Sequence, residues 1–206
     1  MPKNYRCAPQ FNGNLLCAID IETTGSDVDI HEIIQIAIVP IDSVSYEPIL
    51  KPFYTTVAPL HPETADPNST KVHGLDIDEL MMTSPSPDRV VDNFLKWYEN
   101  LELAFDRRIV PLAQNWAFEA RYMHKFLGHE LFERTFNMQA RDSMQVALAI
   151  NDIAFQRGRK PPFERVSNSW LCEHFGIINE RAHDALSDCL ATVKVYKKLL
   201  EFDVLL

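Results

Sequence analysis

The stretch LLCAIDIETTG, Leu15 to Gly25, decides the fold. Its first eight residues are mostly apolar and give way to Thr23, Thr24 and Gly25, which reads as a strand ended by a turn. Strand alternation places Leu16, Ala18, Asp20 and Glu22 on one face and Leu15, Cys17, Ile19 and Ile21 on the other. Two carboxylates therefore share one end of an otherwise apolar strand. Side by side they repel, and the charged form of each is disfavoured unless a cation sits between them. Oxygen-rich sites of this sort suit hard ions such as magnesium or manganese. A lone D-x-E is equally a pair of solvated acids, so the rest of the chain has to decide.

Working outward, EIIQIAIVPI from Glu32 and FYTTVAP from Phe53 read as two more strands, joined by links short enough for an antiparallel meander. A Pro-rich loop follows. Val90, Val91, Phe94, Leu95, Tyr98 and Leu101 then recur at helical spacing behind the start signal Ser86-Pro87. That helix is expected to cover one sheet face. RIVPLAQN, ending at Asn115, reads as a short strand, and Phe118 to Leu127 as a helix stopped by Gly128. Met138 to Asp142 reads as a further strand before a helix through about Gln156. Residues 157–168 hold Gly158, Pro161 and Pro162 among Arg157, Arg159 and Lys160, the composition of a loop whose three cations either touch phosphates or, as the more usual case, are simply solvated. Two helices close the chain, Ser169 to Phe175 and about Ala182 to Glu201. Three strands followed by alternating helices and strands predict an α/β domain, a mixed sheet covered by helices.

The chain has 206 residues, 46% of them hydrophobic, enough for one domain with a real core. Its net charge of −9 excludes a broad nucleic-acid-coating surface. Any such binding is local, at a site where cations offset clustered acids. The first residues lack the apolar core of a signal peptide, and no apolar run approaches membrane-spanning length, so a soluble, cytoplasmic protein without membrane partners is expected. Cys7, Cys17, Cys172 and Cys189 form no C-x-x-C pair and read as reduced thiols. Cys172, His174, His183 and Cys189 can be drawn as a zinc site, but the apolar helical neighbours of Cys189 favour core packing.

Two further clusters carry chemistry. In RAHDALSDC, His183 and Asp188 stand five apart, and inside a helix they would diverge by about 140°. To converge, His183 must lie at or before the first helical turn; Asp184 is left to favour the positive helix N-terminus. In AQNWAFEARYMHKFL, Asn115 ends a strand and Glu119 falls in the first turn of a helix, where an acid is favourable on dipole grounds alone. Histidines 31, 61, 73, 124, 129 and 174 lack a pairing with an acid like that of His183 and are structural by default.

Taken in order, these segments resemble the three motifs of the DEDD 3′-to-5′ exonucleases, in the branch with a catalytic histidine (DEDDh), which includes the polymerase III proofreading subunit, ribonuclease T and oligoribonuclease. DIETTG at Asp20 to Gly25 resembles the first motif, QNWAFE at Gln114 to Glu119 the second, and HDALSD at His183 to Asp188 the third. VAPLHPETADPNSTKVHGLDIDEL, RDSMQVA and the stretch from Leu171 to Tyr196 resemble segments between and after them, so the likeness runs from Leu15 to about Leu200. Three ordered motifs are far more specific than one D-x-E.

The resemblance implies a ribonuclease-H-like mixed five-stranded sheet flanked by helices, with two divalent metal ions, magnesium or manganese, at the sheet end. It makes Asp20 the bridging ligand, assigns Glu22 and Asp188 to one metal and Glu119 to the vicinity of the other, and gives His183 the proton of the attacking water. Thr23, Asn115, Phe118 and His73 become substrate contacts. The implied substrate is the 3′ end of single-stranded DNA or RNA, and the product a nucleoside 5′-monophosphate. A second copy of the chain or a polymerase is the kind of protein partner such relatives have. Two positions depart from the pattern: Glu119 stands where aspartate is usual, and Ser26 where the family often has an apolar wedge against the terminal base. Phe118, Trp116 and Tyr122 offer stacking surfaces, although aromatics on an amphipathic helix more often serve the core. The rival readings are a catalytically impaired nuclease fold acting as a binding or polymerase-associated module, and an endonuclease on the same fold.

Overall fold

The structure, a computed structural model, describes residues 6–203. Its centre is a five-stranded sheet of order β3-β2-β1-β4-β5. The strands are β1 (Leu15–Thr23), β2 (Ile33–Ile41), β3 (Phe53–Thr56), β4 (Ile109–Ala113) and β5 (Arg141–Asp142). As expected, β1, β2 and β3 form an antiparallel meander, and β4 and β5 extend the sheet in parallel with β1. The helices are α1 (Pro67–His73), α2 (Ile77–Thr83), α3 (Pro87–Glu99), α4 (Trp116–Leu127), α5 (His129–Thr135), α6 (Ser143–Gln156), α7 (Asn168–Phe175) and α8 (Ala185–Leu200).

Strand alternation sorts the core into two layers. Leu15, Cys17, Ile19 and Ile21 of β1 pack with Ile36 and Ile38 of β2 against Val90 and Phe94 of α3 and Tyr122 and Met123 of α4. On the other face Leu16, Ala18, Ala37 and Val39 meet Ala185, Cys189, Val193 and Tyr196 of α8. The outer side of α8 buries Ala191, Val195 and Leu199 under α6 and α7. The sheet is thus covered on both sides, which explains why all nine residues of β2 are buried.

Several elements differ from the expectation. The Pro-rich segment contains α1 and α2, started by the caps Asp66 and Asp76, whose side chains accept backbone N–H groups of the first turn. Each is seven residues long, too short to show an apolar period. Helix α5 follows Gly128 directly, and α4 begins at Trp116 rather than Phe118. The last strand shrinks to Arg141–Asp142, and α8 starts at Ala185, leaving residues 182–184 outside it. Among the described residues no helix is long and apolar enough to cross a membrane.

A candidate two-metal catalytic cleft

In this sheet β1 and β4 run parallel, so their carboxyl ends open on the same edge, where ligands of open α/β sheets bind. Asp20 and Glu22 lie at that end of β1. The register between β1 and β2 slips between Glu22 and Thr23, a local irregularity that ends regular pairing beside the acids. After β4 the chain passes through Gln114 and Asn115 into α4, whose first turn carries Glu119. Asp142 fixes this junction: its Oδ2 accepts the Trp116 N–H at 2.9 Å, while its Oδ1 caps α6 at Gln145.

From the opposite face, α8 brings Asp188. His183 stands two residues before the helix with a left-handed φ of 66°, which turns it back over the cleft. Its backbone N–H donates to Asp188 Oδ2 at 2.9 Å. Asp184 is the N-cap of α8, its Oδ1 accepting from Ser187 N–H at 3.1 Å, in keeping with the bland role given to it.

These elements enclose a cleft of about 530 Å³ lined by Asp20, Glu22, Asn115, Phe118, Glu119, Asn179, His183 and Asp188 among others. Ligand atoms of Glu22, His183 and Asp188 lie within 4.8 Å of one another. The electrostatics are those of carboxylates crowded without a counter-charge. Burial, then the neighbouring Glu119, Asp188 and Glu22, raises Asp20 well above the usual carboxylate range. Burial followed by Asp188 and Asp184 pushes Glu22 up to about 8. Glu119 also rises to about 8, chiefly through burial and then through Asp142. Burial raises Asp188 despite its hydrogen bonds from Asn179 and His183.

The donor set fits divalent cations. It is all oxygen apart from one imidazole, and two buried oxygens of residues that line the cleft, Glu119 Oε2 and Asn179 Oδ1, have no hydrogen-bond partner among the described residues. A buried oxygen left unmatched is costly, and a bound cation satisfies it. Asn179, whose Nδ2 donates to Asp188 Oδ1, was missed in the sequence, where a single Asn in a loop gives no signal.

The remaining expected contacts are placed as follows. Asn115 is the N-cap residue of α4, makes no side-chain cap bond and faces the cleft. Phe118 lines the wall, its ring 4.9 Å from that of Tyr122. Thr23 is buried, and its hydroxyl is spent on the Gly25 carbonyl at 2.7 Å, so its side chain does not reach the cleft. His73 ends α1 outside the cleft lining, with Nδ1 accepting from Leu75 N–H; burial and then His183 hold it below the ordinary histidine range. Two stacking candidates belong to the core instead. Trp116 packs on Phe132 and Phe136, and Tyr122 is buried with its hydroxyl donating to the Gly25 carbonyl. The zinc arrangement is likewise replaced by packing: Cys189 is fully buried and its thiol points to the Ala37 carbonyl.

The turn after β1 is held from behind. Tyr122 bonds Gly25, Lys125 Nζ donates to the carbonyls of Val28 and His31, and the His31 ring lies so close to Gly25 that a Cβ there would meet it at 2.4 Å. A side chain at this position would force the His31 ring aside.

Solved structures share this architecture. Exonuclease I of E. coli in complex with a dT13 oligonucleotide superposes with a TM-score of 0.71 at 17% identity, covering 90% of this chain and 40% of that one. The zinc-bound form of the same enzyme with single-stranded DNA gives 0.70 at 16%, over 91% and 40%. Cell-death related nuclease 4 (CRN-4) gives 0.67 at 22%, over 91% and 64%. This chain therefore spans only about two fifths of exonuclease I and less than two thirds of CRN-4. No curated protein matches it in sequence. At the level of family, however, the RNase T exonuclease profile aligns with residues 17–196, across all three acidic segments that build the cleft, and the chain belongs to that family.

Proposed function

We propose that this chain, as a single exonuclease domain of the histidine-containing branch, hydrolyses phosphodiester bonds at the 3′ end of single-stranded DNA or RNA and releases nucleoside 5′-monophosphates. One observation carries the reading: Asp20, Glu22, Glu119 and Asp188, drawn from three separate segments, converge with His183 on one cleft. A pure binding module has no use for four crowded acids, one buried and three half-buried, which cost stability unless cations repay it. That exonuclease I is seen with oligonucleotides supports a single strand as substrate.

Two divalent cations, when bound, would supply an activated water and stabilise the leaving 3′ oxygen. Asp20, Glu22, Asp188 and Glu119 would hold them. His183, the one imidazole on this cleft among the described residues, would take the proton of the attacking water through its ring. Asn115 and Phe118, which also line the cleft, would orient the terminal nucleotide, the first by hydrogen bonds and the second against the base. His73 lies outside the cleft lining but close enough to feel the charge of His183, and would meet the phosphate side of the same nucleotide.

The test is incubation with matched 5′-labelled DNA and RNA oligonucleotides in magnesium or manganese, with product sizing over time. A descending ladder that vanishes in EDTA is expected. Products cut only internally would favour an endonuclease, and binding without cleavage in either metal would favour the impaired module.

A further inference from the structure

His183 is held in a left-handed backbone conformation that residues other than glycine rarely adopt, and something must hold it there. On one side the holder is Asp188, which accepts its N–H. On the other side is a network reaching across to the sheet edge. The Tyr54 hydroxyl, from β3, donates to Asp184 Oδ2 at 2.6 Å. Gln35 of β2 donates through Nε2 to the same Tyr54 oxygen at 3.2 Å and accepts the Ala185 N–H through Oε1 at 2.8 Å. Gln35 is buried and is the cross-strand partner of Glu22, so the network begins beside the acids of β1. The two residues that follow His183 are thereby tied to two strands by side chains more than a hundred residues away in sequence.

We propose that Tyr54, acting with Gln35, is a positioning residue that fixes the approach of His183 to the cleft. The inference rests on the exonuclease reading above and adds to it a group that touches neither substrate nor metal. Tyr54 suits the task because it is a donor that stays protonated: burial, then the bond to Asp184, pushes its hydroxyl up to about 12. Asp184 spends its other oxygen on Ser187, so without Tyr54 it still caps α8. What is lost is the tie from β3 to the cap; the bond from Gln35 to Ala185 remains, so the restraint on the residue just before the cap is loosened rather than removed.

Tyr54→Phe removes one oxygen and leaves the ring. Turnover is expected to fall about tenfold with KM within about twofold of wild type, since substrate contacts are untouched. The melting temperature should stay close to that of wild type. The decisive comparison is the double variant Tyr54→Phe/His183→Ala, which should be no slower than His183→Ala alone, because a residue acting through His183 has nothing left to act on. Losses that multiply in the double variant would assign Tyr54 to general stability and overturn the proposal. If His183→Ala is impaired while Tyr54→Phe turns over normally, only the role of Tyr54 falls. If His183→Ala itself keeps wild-type turnover, the mechanism assigned to the cleft falls first and takes the role of Tyr54 with it.

Discussion

Asp188 does two things for the cleft at once: it offers a carboxylate to a group that could hold a metal ion, and it accepts the backbone N–H of His183 at 2.9 Å. A proposed ligand and a proposed base are therefore mechanically one unit. Asp188→Ala should abolish turnover and also weaken manganese binding, whereas a pure ligand defect would be rescued by excess metal. Titrating the variant with manganese while following cleavage distinguishes them; full recovery at high metal would show that the tie to His183 is dispensable.

His183→Ala removes the ring but leaves the acids in place. Turnover should drop by about 10²-fold or more, as for loss of a general base, while calorimetry still shows manganese bound. Asp20→Ala should lose both, being placed among all the other acids.

Metal binding near neutrality should release protons. Glu22 and Glu119 both have pKa values raised to about 8, so in metal-free protein at pH 7 both are largely protonated, and a cation favours their ionised forms. Calorimetric titrations with manganese in buffers of different ionisation enthalpy should give apparent heats that vary with the buffer. Buffer-independent heats at pH 7 would mean that the acids are already ionised.

The same raised values set the sign of a stability effect. A carboxyl whose folded pKa lies above its unfolded one stabilises the fold fully below about pH 4.5, and that contribution is lost as pH rises toward about 8. The melting temperature in EDTA should therefore fall through this window, and Glu119→Gln, which cannot ionise, should flatten the fall. The same variant should lose activity and need more metal. Manganese should serve wild type at least as well as magnesium, because the longer glutamate is less firmly placed for strict octahedral bonding. Near-normal activity of Glu119→Gln at low metal would reduce Glu119 to a first-turn acid.

Gly25→Ala drives a methyl group into the His31 ring and so strains the turn that ends β1. A loss of about 1–3 kcal/mol is expected in denaturant unfolding, with lower activity, since this turn follows Glu22 directly. His31→Ala in the same background should restore much of the stability by removing the obstruction.

What the sequence disclosed followed from local pattern. The two faces of β1 could be read from alternation alone, and the position of His183 before α8 from the impossibility of converging with Asp188 inside a helix. Helices α1, α2 and α5 escaped because seven residues hold barely two turns. Gln35 and Tyr54 escaped for a different reason: each matters through a bond to a residue more than a hundred positions away, and such bonds leave no period behind. Asn179 escaped because its single bond, to Asp188, comes from a loop without any pattern. Trp116 and Tyr122 show the converse, aromatic side chains beside a motif that turn inward to the core.

The alternation of β1 also bears on how this chain can change over generations. Each acid is separated from the aromatic core by a single backbone step, so deleting one residue between Leu16 and Ile19 would exchange the two faces and thrust Asp20 and Glu22 among Phe94 and Tyr122. Replacement of an acid silences chemistry and leaves the architecture standing; a frame slip of one residue destroys both. A substitution within β1 can thus end activity without ending the fold, while a change of length is tolerable only in the loops between elements.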